Sequence, residues 1–257
     1  GVVNIDDWSI RNWDFSANGS QSVTQILSKS LNTGAAWLSS LLGEKRFYDY
    51  VQRFGFGQLT GTDLGEETPG DVRTPENDPA SWRSVDLATN SFGQGISVTP
   101  LQFTAALAAI ANNGVLMRPL IVKELVTPEG RRAFQPRVVR QAISPEAART
   151  LLDMMGVVVE GIPTHLLEVP GYKVGGKTGT ANIAIGDGKY KEGAYISSFA
   201  GVAPLDDPAI VVLVKIDEPK TAPWGTVVAA PAFGHMAQAL LPYYKIPPEE
   251  SALVSAQ

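Results

Sequence analysis

A lysine and two threonines stand within a run of small residues at 174–182, VGGKTGTAN. The cation is Lys177, and Thr178 and Thr180 place hydroxyls on either side of Gly179. Glycines within a strand often mark a place where a ligand or another backbone approaches closely. The run therefore predicts a closely approached strand that carries an ammonium group and two hydroxyls at that point.

A second polar cluster, KSLNTG, occupies residues 29–34. Ser30 and Asn32 offer a hydroxyl and an amide on a predicted connection between two helices. The structural alternative is that both residues cap a helix that begins near Thr33, because serine and asparagine side chains commonly bond nearby backbone groups. Without Lys177 downstream, these residue types would favour capping.

Other chemistries find little support in the sequence. The chain has no cysteine, which excludes disulfides, thiolate nucleophiles and cysteine metal sites. His165 and His235 are isolated, without metal-ligand spacing around them, and such histidines are more often structural or solvated than catalytic. The carboxylate pairs at 66–67 and 206–207 lie in predicted loops and turns. A G-x-S-x-G nucleophile elbow is absent, and we expect no metal and no cofactor.

Length, composition and charge indicate a globular protein with a single domain, or with one domain and appendages. The chain has 257 residues, of which 44% are hydrophobic and 18% charged, enough for a core. Its net charge of -5 argues against a nucleic-acid partner, since phosphates require a basic face. No apolar run approaches 18 residues, and the N-terminal GVVNIDDWSIRNWD lacks the regions of a signal peptide. If the parent protein is exported, its targeting segment is expected outside this chain.

Hydrophobic spacing and turn signals predict helices and strands in alternation. Apolar residues recur at helical spacing after Ser22, and Thr99, Pro100 and Gln102 form the signature of a helix start. Neighbouring strands with helices before and after them predict an antiparallel sheet with helices on its faces. The other predicted elements are two strands around a turn at 127–130, a helix opened by Ser144-Pro145, the strands YKVGGKTGTAN, AYISSFAGVAP and AIVVLVKI, and a last helix at about 227–242.

The two polar clusters together are far more specific than either one. K-T-G, here residues 177–179, accompanies a serine-x-asparagine type element, here residues 30–32, and an S-x-x-K nucleophile in penicillin-recognising enzymes. The chain resembles the transpeptidase domain of class B penicillin-binding proteins, the monofunctional cell-wall cross-linking enzymes of bacteria. It is more similar to the septal or elongation synthases than to the carboxypeptidases. Segments typical of the family are IRNWDFSANG, LSKSLNTGAAWLSSLLG, FGFGQLTGTDLGEETPG, SFGQGISVTPLQFTAALAAIANNG, GGKTGTAN, ISSFAGVAPLDDPAIVVLVKID and AAPAFGHMAQALLPYYKIPP.

The resemblance implies an α/β fold of the α+β type. In this penicillin-binding/β-lactamase-like transpeptidase fold, helices cover both faces of an antiparallel sheet. Residues 1–257 are then the C-terminal portion of a single transpeptidase domain. The implied roles begin with Lys177, which lies beside the nucleophilic serine and holds the proton network and substrate charge. Ser30 relays a proton to the leaving group, and Asn32 bonds the substrate's amide.

The resemblance assigns the rest of the K-T-G strand to substrate binding. The hydroxyls of Thr178 and Thr180 bind the carboxylate of a β-lactam or of the stem peptide. Gly179 has no Cβ, which allows the acyl chain to pair against the strand edge like an added strand. The backbone N–H of Thr180 is one donor of the oxyanion hole, worth about 3 kcal/mol of transition-state stabilisation.

One departure from the family pattern limits what carries over. The family's nucleophile is the serine of an S-x-x-K motif before residues 30–32, and no lysine of this chain has a serine three residues before it. We therefore expect a fragment without the nucleophile helix and the N-terminal strands, inactive alone because it lacks the nucleophile and its base. Two alternatives stay open: a non-catalytic module that binds peptidoglycan or a partner, and one half of a bipartite enzyme.

The resemblance also implies the partners and the cellular location. The ligands are peptidoglycan stem peptides and β-lactam antibiotics. The parent protein is anchored in the bacterial membrane, faces the extracytoplasmic side and belongs to a cell-wall synthesis complex, whereas this chain is itself expected to be soluble. Family topology places the absent strands beside residues 209–216, whose only charge is Lys215. An apolar edge of this kind is a template for pairing, so we expect self-association or a covering segment such as the N-terminus.

Overall fold

The computed structural model describes residues 1–63, 65–186 and 189–249. Contacts between residues divide the chain into two compact units. The first unit comprises Gly1–Gly19 and Asn32–Ala148, and the second comprises Ser20–Leu31 and Arg149–Gln257. Each unit has a hydrophobic cluster of its own.

Helices and short strands are distributed over the whole described chain. In chain order the elements are β1 (Val2–Ile5), β2 (Trp8–Arg11), α1 (Val23–Ser28), α2 (Asn32–Leu42), α3 (Glu44–Arg53), α4 (Ser84–Ser91), α5 (Pro100–Ala111), β3 (Val115–Met117), β4 (Glu124–Thr127), β5 (Gly130–Ala133), β6 (Val138–Gln141), α6 (Pro145–Glu160), β7 (Gly175–Gly186), β8 (Lys189–Ala203), β9 (Ile210–Asp217), α7 (Gly225–Val228) and α8 (Ala230–Tyr243).

The first unit combines helices with small antiparallel strand pairs. β1 pairs with β2, β3 with β6, and β4 with β5 around the predicted turn at 127–130. Ile10, Ala36 and Ala88 form a buried cluster that joins β2 to α2 and α4. The sequence predicts two strands within residues 115–140, whereas the structure has four. The additional pair, β3 with β6, joins segments that no short turn connects, so local turn signals could not indicate it.

Helix α5 begins with the predicted capping box. The Thr99 hydroxyl accepts a hydrogen bond from the backbone N–H of Gln102 at 3.1 Å, and the Gln102 side chain accepts one from the N–H of Thr99 at 2.9 Å. Pro100 occupies the first helical position, where its missing N–H has no partner to lose. The buried Gln102 amide also donates to the carbonyls of Gln58 and Pro69. One side chain therefore caps the helix and holds the loop before it.

The helical spacing predicted after Ser22 is interrupted by a turn between α1 and α2. Ser30 has a φ of +52°, in the left-handed region. Its N–H bonds the carbonyl of Leu27 at 3.2 Å, and the N–H of Leu31 bonds that of Ile26 at 3.0 Å. This pair of bonds defines a Schellman motif, the common end of a helix. Apolar periodicity continues through the turn, which is why the spacing did not indicate where α1 ends.

A three-stranded antiparallel sheet in the order β7–β8–β9 organises the second unit. α8 covers one face, where Phe199 packs against Phe233 with ring centroids 5.0 Å apart. Gly201 leaves room for the Phe233 ring, since a Cβ there would come within 2.3 Å of it. α6 covers the other face, where a Cβ on Gly175 would lie 3.2 Å from Met155. The predicted antiparallel sheet with helices on both faces is confirmed.

β9 is an outer strand of this sheet. It pairs with β8 from Ile210 opposite Ala203 to Asp217 opposite Ile196. No strand in the described part of the chain pairs with its other edge, as the family resemblance predicts for residues 209–216. β1, the segment considered as a cover for that edge, pairs with β2 instead.

The predicted C-terminal helix is divided at Ala229 into α7 and α8. Pro231 lies in the first turn of α8, a position at which proline is tolerated because the first N–H groups of a helix have no intrahelical partner. Across the described ranges, we find no helix with the length and apolar character needed to cross a bilayer.

Candidate active site

The turn after α1 holds Ser30 in a backbone conformation that is uncommon for serine. Helices that end in this way usually carry glycine at the left-handed position, because a Cβ is disfavoured there. The nearby residues Ile26 and Leu31 are buried, which anchors the turn. The Ser30 hydroxyl is therefore presented at a defined place, partly accessible to solvent.

Lys177 reaches this hydroxyl from β7. Its Nζ donates a hydrogen bond to the Ser30 Oγ, and a second one to the carbonyl of Thr178 at 2.9 Å. The contact joins two segments of the second unit that are 147 residues apart in sequence. The joint motif and the family resemblance predict that the Ser30 and Lys177 side chains lie within one hydrogen bond or one water of each other, and this contact is confirmed.

Burial changes the acid–base behaviour of the lysine. It lowers the pKa of the Lys177 ammonium to about 8, from an ordinary value of 10.5, because the charged form loses hydration. At pH 7 roughly a tenth of the Lys177 side chains then carry a neutral amine. A neutral amine in contact with a hydroxyl can take up its proton, and an ammonium can return one.

The remaining residues of the K-T-G run follow the pleat of β7. Thr178 is partly buried and Thr180 is exposed. Their cross-strand partners on β8 are Phe199 and Ser197, so both threonines lie on the sheet face that α8 covers, while Lys177 lies on the other. Because side chains alternate between the two faces of a strand, the Lys177 side chain and the two threonine side chains leave β7 on opposite faces of the sheet.

The structure gives a reason for glycine at position 179 that the sequence did not indicate. It lies opposite Ser198 on β8, and a Cβ at this position would come within 2.6 Å of the Ser198 Oγ. That distance is shorter than real Cβ contacts, so a larger residue would push the two strands or the serine side chain apart. Glycine at this place therefore leaves room for the Ser198 hydroxyl beside β7.

A segment before α7 packs against the same part of the sheet. The completely buried Ser197 donates a hydrogen bond to the carbonyl of Pro223 at 2.6 Å. A Cβ on Gly225 would lie 2.3 Å from the Ser198 carbonyl oxygen and 2.8 Å from that of Gly179. The backbone N–H of Gly225 also points at the Thr180 hydroxyl, 3.5 Å away. Sequence reasoning missed this tether, and its only sequence signal is a serine within an apolar strand.

Asn32 is the first residue of α2 and belongs to the first unit. Its side-chain amide donates to the carbonyl of Arg11 at 3.1 Å. The cap of α2 comes from Asn12, whose Oδ1 accepts from the N–H and the hydroxyl of Thr33. The side chains of Ser30 and Asn32 thus make contacts other than the helix capping that was the alternative. The family resemblance also predicts that Asn32 lies across a cleft from Lys177, and this stays a prediction.

The two histidines share a cavity of about 290 Å³ in the second unit. His165 and His235 line it together with Glu168 and Gln238. The Gln238 amide donates to the Glu168 carbonyl at 2.7 Å, which ties α8 to the loop between α6 and β7. Nowhere in the described ranges do three or more histidine, aspartate or glutamate side chains form a group suited to a metal ion.

The carboxylate pairs have structural partners. Glu67 accepts hydrogen bonds from the N–H of Gly61 at 2.8 Å and from the Thr60 hydroxyl, and so holds its loop closed. Asp206 accepts from Arg149 at 3.0 Å on the turn between β8 and β9. These contacts agree with the prediction that both pairs serve loops and turns.

Comparison with known proteins places this geometry in a family. Residues 2–238 match the family described as "Penicillin binding protein transpeptidase domain". Stage V sporulation protein D of Bacillus subtilis is 38% identical over 258 residues, covering 98% of this chain and 39% of that protein. Penicillin-binding protein PbpB of Mycobacterium tuberculosis is 37% identical over 235 residues, covering 87% of this chain and 34% of that protein. The chain therefore spans between 34% and 39% of the length of these relatives.

Solved structures give the same assignment. Penicillin binding protein 3 of Mycobacterium tuberculosis, complexed with aztreonam, superposes with a TM-score of 0.86 at 33% identity, covering 96% of this chain and 57% of that one. The transpeptidase domain of Burkholderia pseudomallei penicillin-binding protein 3 gives a TM-score of 0.82 at 32% identity, covering 96% and 71%. Both polar motifs lie within the matched residues. The chain belongs to the transpeptidase domain family of the class B penicillin-binding proteins.

Proposed function

We propose that this chain is part of a peptidoglycan D,D-transpeptidase, which cross-links stem peptides in the bacterial cell wall and binds β-lactams. The observation that carries the proposal is the hydrogen bond between Ser30 and Lys177, since it joins the two motifs that the family uses for proton transfer. Relatives named as peptidoglycan D,D-transpeptidases support the reaction class. Complexes of a similar protein with aztreonam and ampicillin support β-lactam binding.

In the proposed reaction Ser30 and Lys177 move a proton and form no covalent bond to substrate. A serine of an S-x-x-K motif, outside the residues of this chain, attacks the carbonyl of the penultimate residue of the stem peptide. Ser30 then donates its hydroxyl proton to the leaving amine, and Lys177 replaces that proton. A lysine with a pKa near 8 suits this role, because proton exchange is most effective when the pKa lies near the working pH.

The strand residues bind and orient the donor peptide. β7 is the other outer strand of the sheet, and in the described part of the chain it pairs only with β8. An extended peptide can add to such an edge through backbone hydrogen bonds. The hydroxyls of Thr178 and Thr180 bind the terminal carboxylate, and the N–H of Thr180 stabilises the oxyanion. One such donor contributes about 3 kcal/mol in other acyl-transfer enzymes.

Asn32 bonds the amide of the donor peptide. Its contact with the Arg11 carbonyl uses one of the two N–H groups of its side chain, and an asparagine amide offers two donors and one acceptor oxygen. Among the described residues no partner of the other N–H or of the oxygen is found, and both can bond a peptide group. The bond to Arg11 fixes the orientation of the side chain in advance, which lowers the entropy lost on binding.

We further propose that residues 1–257 form the C-terminal portion of one transpeptidase domain. Alone, they do not carry out acyl transfer, because no lysine in the chain has a serine three residues before it. The longer protein is anchored in the membrane, acts on its extracytoplasmic side and works within a cell-wall synthesis complex. The free edge of β9 leads isolated chains to associate with one another.

The same lack of an S-x-x-K motif favours one second candidate, a module that binds peptidoglycan without reacting. A fluorescent penicillin separates the two. The chain alone should take no label, and the longer protein with its S-x-x-K segment should be labelled on that serine. Lys177→Ala in the longer protein should lower the labelling rate about a hundredfold. Lys29→Ala is the matched control, because Lys29 lies next to Ser30 but bonds the Gln21 side chain.

Two results would contradict the proposal. A longer protein that contains the S-x-x-K segment, is folded and takes no label would support the binding module. Labelling of this chain alone by the penicillin would show that the fragment assignment is wrong. Mass spectrometry of the labelled peptide distinguishes these outcomes.

A further inference from the structure

The serine in the turn after α1 stands where glycine is usual. A left-handed φ of +52° is unstrained for glycine and unfavourable for serine, which gives up backbone stability for its hydroxyl. Residues held in such conformations by surrounding bonds often serve function. The two backbone hydrogen bonds of the Schellman motif supply that restraint. Ser30 is thus rigidly presented, and its hydroxyl stays partly accessible.

The only side-chain contact found for this hydroxyl within the described residues is with an amine. Lys177 Nζ lies in hydrogen-bond contact with the Ser30 Oγ, and the Thr178 carbonyl holds the amine in place from another direction. When the amine is neutral, the hydrogen bond reverses, and the serine O–H donates to the nitrogen lone pair. An oriented hydroxyl with a base in contact is the arrangement that activates serine nucleophiles.

Burial makes the neutral amine available at moderate pH. The pKa of Lys177 is lowered to about 8, so most of the lysines are neutral at pH 9, whereas a solvated lysine would remain charged. The same buried side chain is in hydrogen-bond contact with the Ser30 hydroxyl.

We propose that Ser30 is a nucleophile in its own right, with Lys177 as its general base, toward small phosphonylating electrophiles. With an alkyl fluorophosphonate, the Ser30 Oγ attacks phosphorus, a P–O bond forms, and the P–F bond breaks. Fluoride leaves with the bonding electron pair, and the hydroxyl proton moves to the neutral Lys177 Nζ. The products are a phosphonylated serine, fluoride and an ammonium group, which balances atoms and charge.

This activity is separate from the proposed function. There Ser30 only relays a proton, and a penicillin reports the S-x-x-K serine of a longer protein. Here Ser30 forms the covalent bond, within the chain of residues 1–257. Failure of one test leaves the other informative, because the reagents and the labelled serines differ.

The test is labelling of the chain by a fluorescent alkyl fluorophosphonate, with the site found by mass spectrometry. We expect one label, on Ser30, at a rate that rises with pH through a midpoint near 8, as the amine loses its proton. Ser30→Gly should abolish the label and keep the fold, since glycine suits the left-handed backbone. Lys177→Arg should lower the rate about a hundredfold, because arginine keeps the charge and cannot act as a base.

Neighbouring residues supply matched controls. Ser28→Ala and Lys29→Met change a serine and a lysine of the same segment, whose contacts are with Gln25 and Gln21. Both variants should be labelled at the rate of the unchanged chain. The proposal is overturned if the folded chain takes no label, if the label lies on another serine, or if Lys177→Arg is labelled as fast as the unchanged chain. Circular dichroism of each variant establishes that it is folded.

Discussion

Replacing Lys177 by methionine should change how the stability of the chain depends on pH. The folded-state pKa of this lysine is about 8, and its ordinary value is 10.5. Below pH 8 the ammonium is charged in both states, and burial of the charge costs the folded state its full penalty. Between pH 8 and 10.5 the folded chain releases the proton while the unfolded chain keeps it, so stability rises with pH. The unchanged chain should therefore gain about 2 kcal/mol relative to Lys177→Met between pH 7 and 9.5.

The comparison of two pH values isolates the titration. Methionine fills a similar volume but cannot bond the Ser30 hydroxyl or the Thr178 carbonyl, and this loss is nearly the same at both pH values. Urea unfolding at 25 °C gives the free energy of unfolding of each chain at pH 7 and 9.5. Carbon-13 NMR of dimethylated lysines reports the pKa of Lys177 directly. Lys29→Met, at an exposed position, is the control and should show no such pH dependence.

Either of two results would refute this reasoning. If the stability difference between the unchanged chain and Lys177→Met is constant from pH 7 to 9.5, the lysine does not titrate in that window. If the NMR signal of Lys177 shifts with a midpoint near 10.5, burial does not lower its pKa. In both cases the proton-transfer role of the Ser30–Lys177 pair would lose its electrostatic basis.

Three further predictions concern the scaffold. Gly225→Ala places a Cβ within 2.3 Å of the Ser198 carbonyl oxygen and 2.8 Å of that of Gly179. The free energy of unfolding, measured in urea, should fall by about 2 kcal/mol. An unchanged free energy of unfolding would mean that the start of α7 is not tightly packed against the sheet. Thr99→Ala removes the cap of α5 and should lower the free energy of unfolding by about 1 kcal/mol in the same assay. A change within experimental error would mean that the capping box does not stabilise the chain. The isolated chain should associate at micromolar concentration in sedimentation, and Val211→Lys, which adds a second lysine to β9, should weaken association; a monomer with fast hydrogen exchange in β9 would contradict the pairing.

Local signals in the sequence predict part of this structure well. Thr99 and Gln102 form the capping box because cap residues act within one helical turn. The strand carrying Lys177 follows from its own residue types, and the pairing of β8 with β9 follows from the short turn LDDP between them. The contact between Ser30 and Lys177 is different, since no local signal joins residues 147 positions apart. That contact was predicted from the joint motif and the family resemblance.

Other features depend on long-range contacts that leave little trace in sequence. The bond of Ser197 to the Pro223 carbonyl requires knowledge of how the segment before α7 returns to the sheet. Asn12 caps α2 from 21 residues away, so the cap is invisible to a local search before Thr33. Apolar spacing continues across the turn at Ser30, because a single left-handed residue does not disturb the hydrophobic pattern. These features depend on which segments meet in the folded chain, and composition or periodicity alone does not predict them.

The two outer strands of the β7–β8–β9 sheet both have a free edge of backbone N–H and C=O groups in the described part of the chain. Their side chains differ, because β7 is polar around Lys177 and β9 is mostly aliphatic. β7 carries Lys177 on one face and Thr178 and Thr180 on the other, so polar groups flank its free edge on both sides of the sheet. β9 carries consecutive aliphatic residues at 210–214, which favour a lasting neighbour because apolar area buried against water contributes about 25 cal/mol per Å². Charged side chains oppose lasting pairing at a sheet edge, and an exposed apolar edge strand favours pairing with another chain. Under the proposed function, β7 is the edge that binds the donor peptide, and the association predicted for isolated chains uses the free edge of β9.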